Sequence, residues 1–99
     1  MGKRQITIKE SAAESIAAIA FFIESHGLIA TAEKFTDAIY DYLIQIADSR
    51  KRYAICREPG RALIGYKCIS YKKKYTIVLL ESDTEVLICE FQLSKNIHW

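Results

Sequence analysis

Cationic and tyrosine side chains crowd the second half of this chain. Arg50, Arg52, Arg57, Arg61, Lys67, Lys72, Lys73, Lys74 and Lys95 surround Tyr66, Tyr71 and Tyr75. Such cations can neutralise charge developing on a phosphate, and such rings can stack on bases or donate a proton. Metal-free cleavage of RNA also needs a base for the ribose 2′-hydroxyl and an acid for the leaving oxygen. The sequence sets no good base beside them. His98 follows Lys95 by three residues in a polar tail, and His26 lies far from the basic segments, next to Gly27. The residue types therefore favour binding over chemistry. The candidates for holding a target or a phosphate are Lys67, Lys72, Lys73, Lys74, Lys95, Tyr66 and Tyr71, and no catalytic residue is assigned.

Each candidate has a plainer reading. Lys72-Lys73-Lys74 is also what a solvated turn that discourages edge aggregation looks like. Arg50-Lys51-Arg52 suits the negative end of a helix. Tyr66 and Tyr71 are an odd number of positions apart, so on one regular strand they face opposite sides and one belongs to the core.

Charge divides unevenly along the chain. Residues 1–49 hold four Lys/Arg and seven Asp/Glu, and residues 50–99 hold ten and five. An acidic first half and a basic second half suggest one face suited to an anionic partner. Cys56, Cys68 and Cys89 are three, without C-x-x-C spacing, and are expected to be free, reduced, partly buried thiols. No histidine lies near them, so neither a metal site nor a cofactor is expected. No apolar run is long enough to span a membrane, and Lys3-Arg4 lead into an alternating segment rather than a signal peptide. The expectation is a cytoplasmic, unprocessed protein of one domain covering residues 1–99.

The elements that must carry these residues follow from periodicity. Gln5 to Lys9 alternates as a strand with Ile6 and Ile8 inward. Ser11-Ala12-Ala13-Glu14 has the form of a capping box, which predicts a helix from near Ala12 to Gly27. Ile16, Ile19, Ala20 and Ile23 form its buried stripe. Leu28, Ala32, Phe35, Ile39, Tyr42 and Ile46 predict a second helix with Thr31 as a plausible N-cap, antiparallel to the first. Tyr53 to Cys56 reads as a short strand and Glu58 to Arg61 as a loop. Three strands are predicted after it, from Ile64 to Tyr71, Tyr75 to Glu81 and Glu85 to Phe91, turning at Lys72–Lys74 and Ser82–Thr84. Helices grouped before strands predict an α+β fold: an N-terminal strand, a helix hairpin, then a mostly antiparallel sheet of three or four strands.

In that order, these local sequences resemble the RelE/ParE toxin superfamily, over nearly the whole chain. Gln5 to Ala12 looks like its first strand running into "s-x-x-A", and Ala32 to Ile39 like its "A-x-x-F-x-x-x-I". Gly65-Tyr66-Lys67 is similar to "g-y-R", with lysine for arginine. Lys74 to Leu79 looks like "y-x-I-x-Y" without the second tyrosine, and Val86 to Phe91 like the closing "v-x-I-x-x-i/f". The family's following "H-x-R-r-n-P" stands here as Gln92-Leu93-Ser94-Lys95-Asn96, with Gln92 in place of the histidine.

The resemblance implies a toxin of a type II toxin–antitoxin (plasmid stabilisation) module, neutralised by a cognate antitoxin. Members either inhibit DNA gyrase, as ParE-like toxins do, or cleave messenger RNA on the ribosome, as RelE-like toxins do. The missing histidine and second tyrosine favour the ParE-like mode, or a non-toxic homologue that still binds an antitoxin, over the ribonuclease.

Overall fold

Strand β1 (Gln5–Ile8) turns Ile6 and Ile8 toward the interior, as its alternation predicts. In a computed structural model that describes residues 4–48 and 53–96, it leads directly into helix α1 (Glu10–Ser25). The capping box does not form. The helix starts two residues earlier, at Glu10 with Lys9 as its N-cap, and the Ser11 hydroxyl instead donates to the Cys89 carbonyl at 3.3 Å. Gly27 takes the left-handed conformation (φ 80°) that turns the chain into helix α2 (Ile29–Asp48), which begins just ahead of Thr31. Its buried stripe is Ala32, Ile39, Leu43, Ile46 and Ala47, while Phe35 and Tyr42 are half-buried and Leu28 is exposed.

The segment read as a loop contains a short helix, α3 (Pro59–Ile64). The Glu58 carboxylate accepts from the Gly60 amide at 2.6 Å, Pro59 occupies the first turn, and Gly65 (φ 92°) closes it. Strand β2 (Lys67–Tyr71) therefore starts later than the predicted Ile64. The expected strand at Tyr53–Cys56 amounts to a single bridge, Ile55 to Lys67. Strands β3 (Tyr75–Glu81) and β4 (Glu85–Leu93) follow, and a 3₁₀ turn at Ser94–Asn96 ends the described chain.

The fold is α+β, with one mixed four-stranded sheet in the order β1-β4-β3-β2. β1 runs parallel to β4, and the other two pairs are antiparallel. The helix hairpin packs on one face. Ile16, Ile39, Leu43 and Ile46 meet Ile77, Leu79, Ile88 and Phe91 there. On the opposite face Val78 and Cys89 are buried with Cys56, and Cys68, Leu80 and Leu87 pack against them. This two-sided cover explains the apolar run in β3, whose residues Tyr75 to Leu79 are all buried. A β-bulge leaves Cys89 as the extra residue of β4, because Val78 faces Glu90 and Leu79 faces Ile88.

One buried ion pair stitches the sheet to the helices. Arg4 donates to the Glu81 carboxylate at 2.8 Å and to the Ile46 carbonyl near the end of α2 at 3.0 Å. The cysteines depart from expectation: Cys56 and Cys68 are joined as a disulfide, and Cys89 alone is free and buried. The pairing depends on the Ile55–Lys67 bridge, which brings the two cysteines side by side. No helix among the described residues is long and apolar enough to cross a membrane.

Candidate partner-docking groove

The apolar stripe on α1 runs further than the sheet beneath it. Ile16 is fully buried, Ile19 and Ile23 are half-buried, and Phe22 is 64% exposed. The uncovered part forms one wall of a groove of about 700 Å³. Ala18, Ile19, Phe22 and Ile23 line that wall. Tyr75 and Leu93 form the floor and opposite side, where β3 begins and β4 ends. Lys73, Lys74 and Lys95 stand at the rim, and no carboxylate or histidine lines it among the described residues.

Two elements place these lysines. The β2–β3 hairpin closes through the Lys74 amide and the Tyr71 carbonyl at 3.2 Å, with Lys72 and Lys73 between them at positive φ (52° and 61°). The 3₁₀ turn after β4 swings Lys95 toward the same end, and the Ser94 amide donates to the Lys74 carbonyl at 2.9 Å. Lys72 and Lys74 each lie 5.6 Å from the ring centroid of a neighbouring tyrosine, Tyr71 and Tyr75 respectively. Such contacts hold a cation near an aromatic face without removing its charge from solvent.

Of the seven residues singled out in the sequence, Lys73, Lys74 and Lys95 meet at the groove, and Lys72 stands beside it on the same turn. Lys67 lies at the far end of β2, paired with Leu79, and takes no part. Tyr71 is 6% exposed and belongs to the helix-side core, packed against Tyr42, Tyr75 and Phe91. Its ring is not offered to a base or a partner, which corrects that assignment. Tyr66 is half-buried against the cluster on the opposite face. Arg50-Lys51-Arg52 and His98 lie outside the described residues. His26 ends α1, its Nδ1 2.9 Å from the Phe22 carbonyl and its ring against Phe22.

Lys73 also borders a second cavity of about 480 Å³ on the helix-free face. Arg57 and the Ser70, Thr76 and Ser94 residues line it as well, with Thr76 and Ser94 hydroxyls 2.8 Å apart. Among the described residues, no carboxylate or histidine lines this cavity either. The carboxylates of this face lie elsewhere, committed to Arg61. Nε and Nη2 of Arg61 donate to the two oxygens of Glu90 at 2.9 and 2.5 Å, and Nη1 donates to Glu58 at 2.7 Å. Hydrogen bonding from Arg61 holds the Glu90 carboxyl below the usual carboxylate range, and burial opposes this only in part. No local pattern signals this ion-pair cluster, because Arg61 and Glu90 lie 29 positions apart. Burial raises the pKa of the Cys89 thiol, so no activated nucleophile stands there. No group of three or more His, Cys, Asp or Glu residues suited to a metal ion occurs among the described residues.

No family model matches this chain, and no curated protein matches it.

Proposed function

We propose that this chain is a toxin of the RelE/ParE superfamily that works by binding rather than by chemistry. In this reading it inhibits a macromolecular target such as DNA gyrase, and a cognate antitoxin neutralises it. One observation carries the proposal: an apolar groove rimmed by Lys73, Lys74 and Lys95, with no carboxylate or histidine among the described residues that line it. An amphipathic antitoxin helix with apolar side chains along one face and carboxylates at its margin fits such a groove. The resemblance of the ordered motifs supplies the toxin reading, and the groove supplies the mode.

A ribosome-dependent messenger ribonuclease is the second reading. The cavity that Arg57 and Lys73 share with three hydroxyl-bearing residues favours it, because that donor set suits a phosphodiester. It lacks the base and acid that cleavage needs.

The test is expression with and without the small open reading frame adjoining the gene. The expected result is a stable complex of the two products, growth arrest by the chain alone with a DNA-damage response, and intact messages. A Lys73→Glu/Lys74→Glu/Lys95→Glu variant should bind the antitoxin at least tenfold more weakly with an unchanged unfolding midpoint. Codon-specific message cleavage that disappears in Lys73→Ala would replace this reading with the ribonuclease. Separate elution of the two proteins at micromolar concentration would remove that antitoxin.

A further inference from the structure

Residues 56–68 form a closed flap. The Cys56–Cys68 bond joins its base, beside backbone hydrogen bonds from the Cys56 amide to the Tyr66 carbonyl (2.9 Å) and from the Cys68 amide to the Ala54 carbonyl (3.1 Å). Within the flap, α3 caps itself at both ends. None of its residues is buried, and Leu63 and Ile64 point into solvent, 90% and 63% exposed. Apolar burial therefore does little to hold α3 down. Besides the backbone hydrogen bonds at the base and the packing of Tyr66, the flap is fastened by the sulfur–sulfur bond and by the Arg61 fork that reaches across to Glu90 on β4. The fork is partly exposed on both sides, so water and salt weaken it. Beneath the base lies the apolar cluster of Val78 and Cys89, closed over by Cys56 itself.

We propose that the Cys56–Cys68 bond is a redox-operated clasp that sets whether the flap is fastened over the helix-free face of the sheet. A dithiol reductant opens it by two exchanges. One reductant thiolate attacks a cysteine sulfur and displaces the other cysteine as a thiolate, which takes up a proton. The second reductant thiol then releases the mixed disulfide. Two electrons and two protons pass to the protein, and the reductant leaves as its own disulfide. Opening removes the covalent closure of the base and leaves only its backbone hydrogen bonds, the packing of Tyr66 and the Arg61–Glu90 fork to hold the flap. The reduced chain then uncovers Val78 and Cys89 together with Leu80 and Leu87, a second apolar surface on the face opposite the helices. The oxidised chain keeps Val78 and Cys89 closed. Cys89 reports the state, because the closed clasp buries it.

The experiment compares the full chain, air-oxidised, with the same chain in dithiothreitol, by hydrogen exchange and mass spectrometry. Peptides within residues 57–66 should exchange at least tenfold faster after reduction, with α2 and β3 unchanged. In a Cys56→Ser/Cys68→Ser variant, a maleimide should label Cys89 at least fivefold faster than in the oxidised wild type. If that variant does not fold, reduction of the wild type still gives the exchange result. Unchanged exchange in the flap overturns the proposal. So does loss of protection in β3 on reduction, which would make the bond a staple of the whole fold. Three alkylatable thiols in the oxidised sample would overturn it as well.

Discussion

The Arg61 guanidinium meets the Glu90 carboxylate edge to edge, Nε to one oxygen and Nη2 to the other. A two-point contact of this kind fixes orientation as well as charge. It places an arginine from a helix that buries nothing onto the last strand of the sheet.

Because the Arg61 hydrogen bonds lower the Glu90 pKa in the folded state, the pair contributes to stability in full above the ordinary carboxylate pKa of about 4.3. That contribution is lost as the pH falls through the depressed folded value. The denaturant midpoint of the wild type should therefore drop more steeply below about pH 4 than that of Glu90→Gln. Parallel acid limbs for the two proteins would show that the fork adds nothing to folding.

A second expectation concerns the lysine turn. Lys72 and Lys73 both hold the left-handed conformation that Asn-Gly would adopt at much lower cost. Lys72→Asn/Lys73→Gly should raise unfolding stability by about 1–2 kcal/mol. A midpoint that stays level or falls in urea unfolding would remove strain from the account of this turn.

The sequence made α2, β3, β4 and their turns readable for a common reason: each buries a face, and burial leaves a period. Helix α3 buries none, so it leaves no period, and the pattern from Ile64 onward reads as the start of a strand. Its only signal was in its caps, with Glu58 before Pro59 and Gly65 just beyond the end. The Ser11 capping box failed because the bulge carbonyl of Cys89, far along the chain, took the hydroxyl. The lysine rim was partly legible, since Lys73 and Lys74 share a turn with neighbouring strands. That Lys95 joins them and Lys67 does not depends on strand register. The disulfide was illegible because spacing alone does not show that residues 56 and 68 flank a bridge.

Packing on the helix side gives a third expectation. Phe91 is fully buried and stacked on Tyr75 with centroids 5.1 Å apart, whereas Phe35 is half-buried at the edge of the same ring cluster. Phe91→Ala should cost about 3–5 kcal/mol and Phe35→Ala about 2 kcal/mol, by denaturant unfolding. Equal losses would mean that the core extends over Phe35 as fully as over Phe91.

The parallel pairing of β1 with β4 has a consequence for synthesis. Arg4 finds Glu81 77 residues later, and Gln5 waits for Glu85. Contacts so distant along the chain close slowly, because the intervening loop must be ordered first. A ribosome-bound chain thus carries an unpaired first strand and a helix hairpin with nothing to pack on until β4 emerges. Leu93 and Lys95, which complete the groove, arrive later still. The groove is thus assembled in a single late event, and only a chain translated past Lys95 carries all of its lining.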